Sequence, residues 1–310
     1  MKYFPLIIFT LTFLFTDQII AQPNYPENAN EAKIISLDIK NFIEAFDALS
    51  SNTDSIQVLQ KLYFDNASIG MTEYIRRFNL NSESLTKAIQ KHPNKYLKIK
   101  EFYSQISAFK TNYIEEMKVY KRILPKTLFP PTYLIVGDYS GIANGSKFGQ
   151  LVTIERATDN LEKLYNIIIH ELTHFQQALS MGIDKYISTY GKKDNMLDLI
   201  LREGGAEFIT YKLIRQNKNQ FKRLKDYEKN EAELWEKFKI DLKKQDKSFW
   251  LTIFSKEDNK EYPMFLGYPL GYKIVAAYYN QAENKNKAID EILNITDASE
   301  FLKKSNYKVN

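Results

Sequence analysis

The sequence predicts an α+β fold that is mostly helical, with a small sheet packed on one central helix. Three observations carry this. Gly (11) and Pro (9) are scarce among 310 residues, while hydrophobic residues make up 44%. That composition favours helices around a substantial core over a β-sandwich. Apolar residues recur at helical spacing through the first third of the chain. Only two stretches, both after Pro125, concentrate β-branched and aromatic residues as strands do.

At the start, Lys2 precedes the apolar run Phe4 to Phe15, and Ala21 is followed by Gln22-Pro23. This is the layout of a signal peptide over residues 1–21. The run is shorter than the roughly 20 residues a spanning helix needs, so no stable membrane span is expected after cleavage. An uncleaved anchor or a buried helix is the alternative reading. Cysteine is absent, which excludes disulfides, thiolate metal ligands, a cysteine nucleophile and a lipobox. Together these features point to a bacterial secreted or periplasmic protein held by its core alone. The net charge of +5 is spread along the chain without an arginine-rich block, so no nucleic-acid partner is expected.

Residues 22–30 are polar and proline-bearing, a lead-in. Glu31 to Leu49 carries Ile35, Ile39, Phe42 and Phe46 at helical spacing, and helical patterns recur at about 54–64, 83–91 and 95–122. This N-terminal region, 22–124, is expected to form one compact unit with 125–310, because no Gly/Ser/Pro-rich linker separates them. Thr132 to Gly137 and Gln150 to Ala157 are the two strand candidates, expected to pair as a hairpin across a loop holding Gly141, Asn144, Gly145 and Gly149. Thr158 or Asp159 is placed to cap a helix from about Leu161 to Ser180, with Glu162 in its first turn and Gly182 as its stop. Further helices follow at about Asn195 to Arg215 and Phe221 to Lys244, the second so mixed in charge that it reads as a solvated face. Another opens at Gly267-Tyr268-Pro269-Leu270-Gly271-Tyr272, and a last lies near Ala288 to Lys303.

The central helix carries His170-Glu171-Leu172-Thr173-His174. Positions i and i+4 share one helix face, so two imidazoles there can hold one zinc ion, and Glu171 between them can act as general base on a water. Zinc lowers the pKa of such a water and polarises a carbonyl. Short patterns of this kind also arise by chance on exposed helices. Here the motif follows Leu164, Ile167, Ile168 and Ile169, where buried histidines and a glutamate are costly without a partner. It also uses two of only three histidines.

With no cysteine, the third ligand is His92, an Asp or a Glu. His92 sits in the loop His92-Pro93-Asn94 and reads as a surface residue. Glu203 and Glu207 stand at i, i+4 around Gly204 and Gly205. Glycines allow close helix approach, and two carboxylates on one face need a cation or donors to compensate. Glu203 is assigned to zinc, and Glu207 to a supporting role, accepting the ring hydrogen of a ligand histidine. A pair of solvated helix glutamates is the bland alternative. Charge on a reacting carbonyl oxygen needs a donor; Tyr268 is the candidate, with Tyr272 behind it, and Arg202 as a residue that would bind a carboxylate or substrate.

HELTH followed by Glu203-Gly204-Gly205-Ala206-Glu207 looks like the gluzincin pattern. Pro131 to Gly137, Gly149 to Glu155, HELTH-Phe175-Gln176-Gln177 and GYPLGY together resemble the predicted zinc-dependent proteases of the DUF2268 family, related to the gliding-motility lipoprotein B group, over about 130–280. The missing lipobox cysteine departs from those lipoproteins and puts a motility role in doubt. The resemblance implies a zincin-like metallopeptidase core with a peptide or protein substrate. It also implies that the strand Gln150 to Ala157 is an edge that binds an extended peptide, with Glu155 on it either touching substrate or structural. The expected function is a secreted zinc metallopeptidase. The alternatives are a non-catalytic envelope binding or assembly protein with a retained zinc, and a zinc hydrolase of a non-peptide amide or ester.

Overall fold

The computed structural model describes residues 25–49, 54–158, 160–190, 196–215, 218–242, 248–251, 255–257 and 260–309. The expected signal peptide, 1–21, lies outside them. The fold is the mostly helical α+β class that the composition implies, with one four-stranded sheet and one two-stranded sheet. The chain divides into two compact units, one ending at Leu172 and the other starting at Thr173.

In the first unit, β1 (Ile34–Ile35), β2 (Thr132–Ile135), β3 (Ala143–Ser146) and β4 (Gly149–Thr153) form a mixed sheet in the order β1-β2-β4-β3. The expected hairpin between the two apolar stretches does not form: β2 and β4 run parallel, Leu134 facing Val152. The glycine-bearing segment expected as a loop supplies β3, which makes the hairpin with β4, Asn144 facing Leu151. Gly149 closes that turn at φ +132, where a Cβ would sit 2.1 Å from the Pro131 carbonyl oxygen. β4 is therefore an interior strand and cannot be the edge that receives a peptide.

Helices cover this sheet. Leu37–Asp47 packs on β2. Ile69–Phe78, not among the expected helices although Met71, Tyr74, Ile75 and Phe78 recur at helical spacing, packs on β2 and β4. Ser68 caps it by accepting the Met71 N–H, and Asn79 ends it in the left-handed conformation. From this helix Arg77, held by Glu73 at 2.7 Å, donates to the Gly145 carbonyl at 2.7 Å and to the Asn144 side chain. That arginine supports the edge strand whose own residues have low strand propensity. Beyond β2 the backbone is held by side chains. The Tyr63 hydroxyl accepts from Val136 N–H, the Tyr96 hydroxyl donates to the Gly137 carbonyl, and Glu155 accepts the Gly137 N–H at 3.0 Å. Glu155 is fully buried, which rules out the substrate contact and leaves the structural role. Burial pushes its pKa up to about 7.

The second unit is helical apart from the small hairpin of β5 (Ser255–Glu257) and β6 (Lys260–Tyr262). The long charged helix expected over 221–244 is two, Lys218–Glu228 and Glu231–Asp241. Its charges are not all solvated: Asp241 is buried and accepts from the Trp250 indole at 3.0 Å. Ile183–Tyr190 follows directly on Gly182, which ends the motif-bearing helix at φ +89. Met196–Glu207 continues without a break into the wider π-wound turn Phe208–Ile214. Gly267–Gln281 opens at the GYPLGY segment and packs along Met196–Glu207.

Candidate metal centre

HELTH lies in the helix Leu161–Met181. Asn160 caps this helix, its side chain accepting the Lys163 N–H at 3.0 Å. The cap therefore falls two residues after Thr158, and the other expected cap, Asp159, lies outside the described residues. Leu164, Ile168, Ile169 and Leu172 are fully buried, which fixes the helix rotation and carries both histidines on one face. His174 is buried, while His170 and Glu171 are half-buried.

Glu203 and Glu207 come from the helix Met196–Glu207, and two glycines explain their placement. A Cβ on Gly204 would lie 2.1 Å from the Gly271 carbonyl carbon, and one on Gly271 would lie 1.9 Å from the Ile200 carbonyl oxygen. The helix can therefore lie backbone to backbone on Gly267–Gln281. Gly205 leaves room for the Gln177 amide, 3.2 Å from where its Cβ would be.

His170, His174 and Glu203 each offer one ligand atom, and these atoms lie within 4.8 Å of one another. Donors sharing a tetrahedral zinc ion at about 2.0–2.2 Å each stand at most about 3.6 Å apart, so the group fits the ion once its side chains close by up to about an ångström. The His174 Nε2 to Glu203 Oε2 distance, 3.2 Å, is already inside that limit. The donor set, two imidazoles and a carboxylate, is one that zinc takes in open sites.

Around His174 a hydrogen-bond chain runs through Gln177 and Tyr186, to which the sequence assigns no role, and on to Arg202. Its Nδ1 lies 2.8 Å from Gln177 Oε1 and 3.3 Å from the Tyr186 hydroxyl. The Gln177 amide in turn donates to the Arg202 carbonyl at 3.0 Å. The signal for Gln177 was its spacing, three residues after His174 on one helix face. Arg202 is buried, donates to the Tyr186 carbonyl at 2.9 Å and stacks on the Tyr186 ring. It braces Ile183–Tyr190 rather than standing open to a substrate.

Glu207 is buried, its carboxylate 3.5 Å from the Arg223 guanidinium. Burial alone lowers the Arg223 pKa, but Glu207, Tyr211 and Tyr268 outweigh it and the net direction is up. Tyr268 therefore stands within the electrostatic reach of Arg223, half-buried in the first turn of its helix. Tyr272 is buried, its ring 5.6 Å from that of Phe208, a core position. Arg223 belongs to the charged segment, whose mixed signs conceal an inward-facing residue. His92 joins two helices and stacks on Tyr139 at 4.5 Å; it is not in the metal-ligating group.

A family model described as a predicted Zn-dependent protease (DUF2268) matches residues 130–303. The chain belongs to this family. The DUF2268 match opens just before β2 and takes in HELTH, the glutamate pair and GYPLGY, leaving the helices before Pro130 outside it. No curated protein and no solved structure matches the chain.

Proposed function

We propose that this DUF2268 chain is a secreted zinc metallopeptidase of gluzincin type with a zincin-like core. The observation that carries the reading is the His170, His174 and Glu203 group with Glu171 on the same helix, one residue from a ligand. A structural zinc takes four protein ligands; among the described residues this group has three, which favours catalysis.

When bound, zinc supplies a Lewis acid that lowers the pKa of water and polarises the scissile carbonyl. His170, His174 and Glu203 hold the ion. Glu171 takes a proton from the attacking water and returns it to the departing amine. Glu207 stands one turn beyond Glu203 beside Arg223, and the support of His174 falls to Gln177. Tyr268 donates its hydroxyl to the oxygen on which charge develops. The substrate is a peptide or protein.

The test is a zinc analysis of purified protein together with a peptide-library cleavage assay on wild type and Glu171→Gln. The expected result is one zinc per chain, cleavage by the wild type, and a loss of about 10²–10⁴-fold in the variant with zinc retained. Absence of stoichiometric zinc, or equal cleavage by both proteins, overturns the mechanism. Ester or non-peptide amide hydrolysis without peptide cleavage moves the substrate class but keeps the site.

A further inference from the structure

We propose that Gln177 is a positioning residue that locks His174 in the Nδ1–H tautomer and so aims its Nε2 lone pair at the metal position. The proposal rests on the zinc reading above for its purpose, but its geometry rests on the hydrogen bonds of Gln177 alone.

The Arg202 carbonyl is the one group in the chain of contacts whose chemistry has no choice. It can only accept, so the part of the Gln177 side chain facing it at 3.0 Å is the NH₂ group. That fixes the amide orientation and turns Oε1 toward His174. Oε1 also can only accept, so at 2.8 Å the His174 Nδ1 must carry the hydrogen. The Tyr186 hydroxyl, 3.3 Å from the same nitrogen, is then left to act as an acceptor there.

A neutral imidazole with its hydrogen on Nδ1 has its lone pair on Nε2. Nε2 is the atom that faces Glu203. Nε2 and the Glu203 oxygen meant to share an ion thus face each other at 3.2 Å, a separation that two acceptors hold only with a cation or a proton between them. The fixed point is a backbone carbonyl, and it belongs to the residue next to Glu203. The same turn of helix that supplies the third ligand therefore also sets the second one. Outer partners of this kind are worth about 10–100-fold in metal affinity.

The experiment uses the chain's small histidine count. With three histidines, long-range ¹H–¹⁵N correlation on the metal-free, ¹⁵N-histidine-labelled protein at about pH 8 reads each tautomer separately. The His174 signals are identified by their loss in His174→Gln. The expected pattern for His174 is Nδ1–H, whereas free histidine favours Nε2–H. Gln177→Leu is expected to release it toward Nε2–H and to weaken zinc binding about 10–100-fold in a chelator competition. Gln177→Glu keeps an acceptor at that place and is expected to retain the Nδ1–H form and zinc affinity within a few-fold. An Nε2–H pattern in the wild type overturns the proposal, even if Gln177→Leu does not fold. So does a Gln177→Leu protein with unchanged tautomer and zinc affinity. A wild type that shows Nδ1–H but binds no zinc supports the pairing and sinks the zinc reading instead.

Discussion

Gly204 and Gly271 meet backbone to backbone, so closely that neither can carry a side chain: a Cβ on Gly204 would fall 2.1 Å from the Gly271 carbonyl carbon. The contact joins the two glycine-bearing motifs, EGGAE and GYPLGY, and fixes the helix that presents Glu203 against the helix that presents Tyr268.

Alanine at either position must push two helix backbones apart. Gly204→Ala and Gly271→Ala are each expected to lose about 3 kcal/mol or more of stability, at or above the upper end for overpacking. Gly205→Ala should lose less, about 1–2 kcal/mol, because the nearest atoms its Cβ meets, at 3.2 and 3.3 Å, belong to the side chains of Gln177 and Ile292 rather than to a neighbouring backbone. Urea denaturation of the three variants checks this; equal midpoints for all three would contradict it.

Metal removal should be legible in stability as well as in activity. An ion that binds only the folded chain stabilises it by about 4 kcal/mol at a thousandfold excess over its Kd. Chelation is therefore expected to lower the melting temperature of the wild type. His174→Ala is expected to melt at the same temperature with or without zinc, since it deletes one of the three converging donors. Calorimetric scans with zinc and with chelator decide it. A wild type indifferent to chelation would count against a bound ion.

Glu155 gives a pH signature. Its folded pKa, about 7, lies above the ordinary 4.5 because burial disfavours the carboxylate. The native state then holds a proton that the unfolded chain has lost, so this group's contribution is fully present below about 4.5 and is lost as pH rises through about 7. The size is roughly 3 kcal/mol. Glu155→Gln keeps an acceptor for the Gly137 N–H and is expected to flatten that slope and to be the more stable protein at about pH 8. Unfolding free energies across this range, wild type against variant, test it; parallel curves would refute the assignment.

The motif helix, its stop at Gly182 and the glutamate pair were legible because each is a local pattern: period, cap and charge spacing act within a few residues. The glycines beside Glu203 were legible too, since close approach is the main reason to place two in a helix. β3 was not. Ala143-Asn144-Gly145-Ser146 has turn composition, and its extended form comes from pairing with β4 and from Arg77, more than sixty residues earlier in the chain. Losing β3 also inverted the sheet, because two neighbouring strand candidates without a third suggest an antiparallel pair. Arg223 was hidden for a related reason: charge density along a segment does not say which residue turns inward. Gln177 could be seen but not weighed, since an amide becomes decisive only when the carbonyl that orients it is known.

The π-wound turn Phe208–Ile214 begins at the residue after Glu207. Such a turn is an α-helix holding one residue more than its length requires. It lets the chain on its far side keep its place while the number of residues changes by one. The carboxylate ladder lies wholly upstream, in regular α-helix, so a single-residue deletion within 208–214 would rewind the turn without rotating Glu203 or Glu207. The helix thus carries its own slack, set just beyond the last residue whose direction matters.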